Sequence, residues 1–259
     1  MKQTIARYTP AAISKFIIRL GRFYGRHIDD PEWANYPSQE EAFKTLKSLG
    51  WKPVSCIDVG AYHGEWTETY RSIFPQSNVL MIEGQQTKAP LLREYISQSP
   101  SGVSFEIALL GASDGVAVRF VEMGTGSSVF EESSPYARKV TERNLTKLDT
   151  LLRDYPDFQK ANVIKLDTQG YELEVLKGSE ELLKHLEVVL LETSLIAVNN
   201  GAPLTSDVIE FMTSRKFRLF DFCSQIRRKD GVLWQCDLMF IRDGIIPNLK
   251  AALTKENWG

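Results

Sequence analysis

The sequence predicts an α/β protein with a mostly parallel sheet and helices on both faces. Short, continuously apolar runs alternate with helical segments, which is typical of strands buried between two helical layers. The last two predicted strands follow each other without a helix, which indicates an antiparallel end to the sheet. The composition agrees, because 259 residues that are 43% hydrophobic and 25% charged are typical of a globular chain and exclude a disordered one.

The predicted elements follow from this alternation. Parallel strands are predicted over residues 54–59, 79–82, 103–108, 163–166 and 188–191. Helices are predicted between them over residues 65–74, 88–98, 148–155 and 171–185. Strands over 217–222 and 232–241, joined by the charged stretch 227–231, are predicted to form a C-terminal antiparallel hairpin. A small-molecule site is expected at the carboxyl ends of the parallel strands.

Residues 1–50 are predicted to form an N-terminal helical extension, ahead of a domain over residues 51–259. Between Ile13 and Tyr24 apolar residues recur at helical spacing, and residues 1–28 carry six Lys and Arg but no acid. We expect this helix to pack on the domain or on a second subunit of a homodimer. The alternatives are that the helix covers an acceptor site, binds an anionic substrate or lies on a membrane surface. The acidic remainder of the chain argues against nucleic acid as a partner.

Three further segments interrupt the alternation of strands and helices. Ser38 and Glu41 form a capping box, which predicts a helix that leads into the domain. Residues 111–121 are predicted to form a hairpin. Residues 123–146 are predicted to include a lid, because their Gly-, Ser- and Thr-rich part, residues 124–134, is suited to covering a site.

The cysteines predict neither disulfides nor a metal site. Cys56, Cys223 and Cys236 cannot all pair with one another, and none lies in a CxxC motif or at zinc spacing with His. No apolar run approaches the roughly 18 residues that suggest a membrane-spanning helix, and the N-terminal segment has no small-residue cleavage site. We therefore expect a cytoplasmic protein with reduced thiols and no metal.

The loop after the first predicted strand is the most informative stretch. It reads Asp58-Val59-Gly60-Ala61-Tyr62-His63-Gly64 and opens directly into a helix. Its glycines permit a tight turn that brings backbone N–H groups and the helix N-terminus against an anionic group. Tyr62 stands where a dinucleotide site requires glycine, which disfavours an NAD-dependent oxidoreductase. S-adenosylmethionine fits better, because it has a single carboxylate and a cationic centre that would lie near Asp58.

Glu83, at the end of the second predicted strand, supports a nucleoside cofactor. A carboxylate at this position can accept hydrogen bonds from both ribose hydroxyls. The alternative is that Asp58 only caps the following turn and that the glycines only permit it. The residues predicted to bind the cofactor are Asp58, Gly60, Ala61, Tyr62, Gly64, Thr67, Glu83, Gly84, Ala108, Leu109, Asp167, Thr168 and Gln169.

Asp167 is the first candidate for the group that accepts a proton during catalysis. It follows the fourth parallel strand, at the rim where a substrate would approach the cofactor. Glu192 is the second candidate, because its strand should end at the same rim. His63 is a third, since an imidazole titrates near neutral pH. The alternatives are an N-cap for Asp167, a strand-end residue for Glu192, a loop residue beside the ligand for His63 and, for Glu172, a first-turn residue favoured by the helix dipole.

The sequence resembles the FkbM-type methyltransferases, which are S-adenosylmethionine-dependent enzymes with the class I methyltransferase fold. The similarity covers residues 54–242 and rests on Ile57-Asp58-Val59-Gly60-Ala61, Ser113-Asp114-Gly115, Leu148-Asp149 and the motif from Ile164 to Gly178. It implies a Rossmann-like, seven-stranded sheet and methyl transfer to a hydroxyl of a carbohydrate, a glycolipid or another natural product.

Gln169 departs from the motif, because the family usually has Glu at this position. An amide cannot act as a base or replace a carboxylate that ligates a metal, but it can position a hydroxyl. A divalent ion held by Asp167 and Glu192 is an alternative, although no His or Asp cluster at ligand spacing supports it. The competing interpretation is a nucleoside-binding regulatory protein without catalysis.

Overall fold

The computed structural model describes residues 37–98, 101–122, 127–130, 139–197, 199 and 201–246. The predicted basic helix within residues 1–28 lies outside the described residues. The helices are α1 (Gln39–Ser48), α2 (Glu65–Ile73), α3 (Ala89–Gln98), α4 (Leu148–Leu151), α5 (Glu172–Lys177), α6 (Glu180–Leu183) and α7 (Thr205–Ser214). The strands are β1 (Ser55–Val59), β2 (Asn78–Glu83), β3 (Val103–Ile107), β4 (Leu109–Leu110), β5 (Ala117–Glu122), β6 (Lys139–Thr146), β7 (Val163–Leu166), β8 (Val188–Ser194), β9 (Phe217–Phe222), β10 (Ile226–Arg227) and β11 (Leu233–Arg242).

The large sheet has the predicted architecture. Its strand order is β10-β11-β8-β7-β1-β2-β3, and β9 also pairs with β11. The strands from β8 to β3 are parallel, whereas β11 is antiparallel to both β8 and β9. The mostly parallel sheet with an antiparallel end is therefore confirmed. The two-residue strand β10, an eighth strand on the edge of β11, was not predicted.

The core lies on both faces of this sheet. Every residue of β1 is buried, and its side chains alternate between two hydrophobic clusters. Ile57 and Val59 belong to one cluster, and Cys56 belongs to the other. This burial on both faces explains why the parallel strands are continuously apolar.

Helix α1 forms as the capping box predicts. The Ser38 hydroxyl accepts a hydrogen bond from the Glu41 N–H, and Phe43 packs edge-on against Tyr70 and Phe74. The compact unit that holds the sheet begins at Pro37, so α1 packs within this unit. The role of residues 1–50 as an extension stays a prediction.

The hairpin predicted over residues 111–121 is wrong. Strand β5 pairs antiparallel with β6, and β4 pairs parallel with β6, so the small sheet has the order β4-β6-β5. The Asp114 carboxylate accepts hydrogen bonds from the Lys147 N–H and the Thr150 hydroxyl, which ties the turn after β4 to the start of α4.

Two predicted helices are also shorter than expected. Residues 148–155 form α4 followed by a 3₁₀ turn, and residues 171–185 divide into α5 and α6. The division falls at Gly178, where a Cβ atom would lie 2.1 Å from the Gly111 carbonyl oxygen. Helix α7 was not predicted.

Candidate functional site

A cavity lies at the carboxyl ends of the parallel strands, as the fold predicts. The β1 and β7 loops, the end of β2 and the small sheet contribute to its walls. Residues 127–129, from the predicted lid segment, also line it, whereas opening and closing of a lid stay a prediction. The predicted cofactor-binding residues in the lining are Gly60, Tyr62, Glu83, Gly84, Ala108, Leu109, Asp167 and Thr168.

The loop after β1 requires glycine for a close approach. At Gly60 the φ angle is +77°, and a Cβ atom would lie 2.0 Å from the carbonyl oxygen of Asp167. The N–H groups of Gly60 and Ala61 donate to the carbonyl oxygen of Ile82. The loop is therefore packed closely between the end of β2 and the end of β7.

The Glu83 carboxylate holds the cavity wall next to this loop. One oxygen accepts from the Tyr62 N–H at 2.8 Å, and the other accepts from the Gln85 N–H at 2.8 Å. The residue is only 5% exposed. Each oxygen keeps further acceptor capacity, so this carboxylate can accept from ligand hydroxyl groups while it fixes the loop.

Asp58 lies outside the cavity lining. Its side chain is on the opposite face of the sheet from Ile57 and Val59, because neighbouring residues of a strand alternate. The Thr67 hydroxyl donates to Asp58 at 2.7 Å, and the Lys165 Nζ atom lies 3.3 Å from the other carboxylate oxygen. The predicted contact of Asp58 with a cofactor is not favoured by this position, and neither is that of the fully buried Thr67.

Lys165 is a functional candidate that the sequence interpretation missed. Its Nζ atom lies 3.1 Å from the Gly60 carbonyl oxygen and 3.7 Å from Asp167. Burial lowers the pKa of Lys165, but the charges of Asp58 and Asp167 outweigh it, and the pKa is raised. The signal in the sequence was a single Lys within the apolar run of β7, because a buried charge requires a charged partner and so indicates an ion pair.

The turn after β7 presents Asp167 and Thr168 to the cavity. The buried Glu172 carboxylate holds this turn, because it accepts from the N–H groups of Thr168 and Gly170. Burial raises the pKa of Glu172 to about 7, although these hydrogen bonds lower it. The Thr168 hydroxyl oxygen is buried without a hydrogen-bond partner, so this lining residue retains polar capacity for a ligand.

A row of amides and carboxyl groups continues from Asp167 along the ends of β8 and β11. The Gln169 amide nitrogen donates to Asp167 at 3.0 Å and to Glu192 at 3.1 Å. The Gln235 amide nitrogen donates to the same Glu192 oxygen at 2.9 Å. Burial, with the charges of Asp167, Glu172 and Asp237, raises the pKa of Glu192 well above its ordinary value. Neither Gln169 nor Glu192 lines the cavity itself.

His63 lies outside the cavity lining. Its ring stacks on Tyr62 at 3.8 Å, and its Nε2 atom lies 3.1 Å from the Nζ atom of Lys88. The Nδ1 atom lies 3.5 Å from Glu65. These contacts favour the interpretation of His63 as a loop residue that supports Tyr62. Gly64, where φ is +89° before α2, and Ala61 likewise shape the loop from outside the lining.

Metal-binding groups and membrane-spanning helices are absent from the described residues. No three His, Cys, Asp or Glu side chains in that part of the chain are grouped so that they could hold a metal ion. Among the helices described here, none is both long and apolar enough to cross a membrane. The three cysteines are buried and unpaired.

The fold and the cavity define an α/β protein with a mostly parallel sheet and a cavity at the carboxyl ends of its parallel strands. The family model for the methyltransferase FkbM domain matches residues 58–219. The chain therefore belongs to the FkbM methyltransferase family, which confirms the resemblance seen in the sequence. The match contains both the glycine loop after β1 and the turn after β7.

Three named proteins are similar to this chain. "Methyltransferase 1" of Beauveria bassiana is 24% identical over 144 residues, which cover 48% of this chain and 58% of that protein. A putative O-methyltransferase from Klebsiella pneumoniae is similar in structure, with 11% identity, a TM-score of 0.48 and coverage of 89% and 96% of the two chains. An O-methyltransferase family protein from Burkholderia thailandensis has 12% identity, a TM-score of 0.46 and coverage of 90% and 59%. The family match carries the assignment.

Proposed function

We propose that this chain is an S-adenosylmethionine-dependent O-methyltransferase that acts on a hydroxyl of a carbohydrate, a glycolipid or another natural product. The observation that carries the proposal is the position of Glu83 and Asp167 in one cavity. Family membership supports methyl transfer as the reaction. An oxygen acceptor has to lose a proton, and Asp167 supplies a carboxylate at the rim where an acceptor would enter.

The lining residues fit S-adenosylmethionine. Glu83 would accept from the ribose hydroxyls, as a carboxylate at the end of a second parallel strand does in nucleoside sites. Gly60 and Gly84 line the cavity and have no side chain that would occupy it. A Cβ atom on Gly84 would lie 3.1 Å from the Phe120 ring. The unpartnered Thr168 hydroxyl adds a polar group to the same cavity.

The turn after β7 would supply the group that accepts the proton of the acceptor hydroxyl. When bound, S-adenosylmethionine supplies a methyl group on a sulfonium, and the sulfur keeps the electron pair of the broken C–S bond. Asp167 takes the proton that the acceptor oxygen loses as its new bond to carbon forms. The side chain of Asp167 is 42% exposed, so an acceptor can reach it. Lys165 holds the loop after β1 and the Asp167 carboxylate in fixed positions, which would align the acceptor hydroxyl with the methyl group.

Methyl transfer from tritiated S-adenosylmethionine to neutral methyl glycosides, glycolipids and phenolic natural products tests the proposal. We expect transfer to at least one of these oxygen acceptors. Asp167→Asn should abolish turnover and leave S-adenosylhomocysteine affinity nearly unchanged, whereas Asp157→Asn, on an exposed turn, should retain turnover. Full turnover by Asp167→Asn would refute the assigned role of this residue. Cofactor binding without any transfer would favour the regulatory alternative.

A further inference from the structure

Gln169 has a strained backbone next to the cavity residues Asp167 and Thr168. Its φ angle of +55° lies in the left-handed region, which disfavours residues other than glycine. Its carbonyl oxygen accepts from the Ser128 hydroxyl at 2.9 Å and from the Asn199 amide at 2.7 Å. Two segments distant in sequence therefore hold this conformation in place. Strain that neighbouring residues maintain is characteristic of functional sites.

The side chain of Gln169 explains why glycine does not occupy this position. Its amide nitrogen donates to Asp167 at 3.0 Å and to Glu192 at 3.1 Å, which uses both of its hydrogens. Glu192 is in turn held by the Gln235 amide at 2.9 Å. Asp167 is thus connected through Gln169 to two strand ends, β8 and β11, which are part of the rigid sheet.

The charged groups around Glu192 come from several elements. Asp167 and Lys165 face it from β7 and the turn that follows, Glu172 from α5, and Asp237 from β11. Lys165 lies 3.7 Å from Asp167, and it is the cation of this group. Burial of Glu192, together with the negative charges of Asp167, Glu172 and Asp237, favours the protonated form of Glu192.

We propose that Gln169 is the positioning residue of the proton acceptor: its amide fixes the Asp167 carboxylate and is itself anchored by Glu192. The inference rests on the proposed function, in which Asp167 accepts the proton of the acceptor hydroxyl. It assigns Gln169 a role that does not require contact with substrate. An amide suits this role because it donates to two carboxyl groups at once, which neither a carboxylate nor glycine can do.

Carboxyl-carbon NMR of the full chain, labelled with ¹³C at Asp and Glu carboxyl groups, tests this inference without any cofactor. Asp167→Asn and Glu192→Gln assign the two signals by their disappearance. Gln169→Glu replaces the shared donor by a third carboxylate, and Gln235→Glu is the matched control, because Gln235 donates to Glu192 alone. Both variants should raise the titration midpoint of Glu192 through like charge. Gln169→Glu alone should displace the Asp167 signal at pH 7.

The inference is overturned if Gln169→Glu leaves the Asp167 signal in place, or if Gln235→Glu displaces it equally. A lower melting temperature of Gln169→Glu with neither signal affected would also overturn it, because the residue would then be only structural. Calorimetry with S-adenosylhomocysteine on the wild type separates the two proposals. Absent binding would refute the proposed function, whereas the NMR result concerns the connection between Gln169 and Asp167 directly.

Discussion

Glu172→Gln is expected to stabilise the folded protein above neutral pH. Burial raises the pKa of this carboxyl group from its ordinary value of 4.5 to about 7. The folded state therefore binds the proton more tightly than the unfolded chain does. The stability that protonated Glu172 contributes to the folded state is fully present below about pH 4.5 and is lost as the pH rises through about 7.

The magnitude follows from the same values. At 1.36 kcal/mol for each tenfold change in proton affinity, ionising Glu172 in the folded state costs roughly 3 kcal/mol. Glutamine resembles the protonated acid and retains an oxygen that can accept from the N–H groups of Thr168 and Gly170. We therefore expect Glu172→Gln to exceed the wild type by about 1–3 kcal/mol in the free energy of unfolding at pH 8, and to be nearly equal to it at about pH 4, where Glu172 is protonated in both the folded and the unfolded state.

Urea unfolding at about pH 4 and pH 8 measures this difference. Glu180→Gln, the same change at an exposed first-turn position of α6, is the control and should show no comparable gain at pH 8. The reasoning is refuted if Glu172→Gln is no more stable than the wild type at pH 8. It is also refuted if the gain is the same at both pH values, because a protonation effect has to disappear where Glu172 is protonated.

Three further substitutions test other parts of the fold. Gly60→Ala should lower the free energy of unfolding by more than about 2 kcal/mol, because its Cβ atom would meet the Asp167 carbonyl oxygen; an unchanged urea midpoint would contradict this. Lys165→Met should lower it by about 3–5 kcal/mol by leaving Asp58 buried without its cation, and adding Asp58→Leu should recover part of the loss. Lys216→Gly should raise it by about 0.5–1 kcal/mol, since Lys216 has φ +64° after α7; a lower melting temperature would contradict this.

The glycine loop and Glu83 could be predicted from the sequence because their geometry is local. A strand, two glycines and a helix start fix the position of the loop, and the end of the next strand fixes Glu83. The partnership of Lys165 with Asp58 could not be predicted in the same way. These residues are direct neighbours only because β7 pairs with β1, and this pairing joins strands that are distant in sequence.

The small sheet and the row of amides could not be predicted from the sequence, for physical reasons. In β6, exposed and half-exposed charged residues such as Lys139 and Glu142 alternate without the apolar signal of a buried strand. The contact between Gln235 and Glu192 depends on the register of β11 against β8, which periodicity does not fix. Gln169 was predicted as a cofactor-binding residue and as a departure from the family motif that can position a hydroxyl, whereas its hydrogen bonds to Asp167 and Glu192 required the structure.

Calorimetric titration of the wild type with S-adenosylhomocysteine tests the central claim most directly, because it measures occupancy of the cavity without a methyl acceptor. We predict binding at one site, with affinity reduced at least about tenfold in Glu83→Ala, which lacks the cavity-lining carboxylate that is proposed to accept from the ribose hydroxyls. Glu94→Ala, on the exposed face of α3, should bind as the wild type does. Absence of binding to the wild type, or equal affinity in Glu83→Ala, would contradict the account.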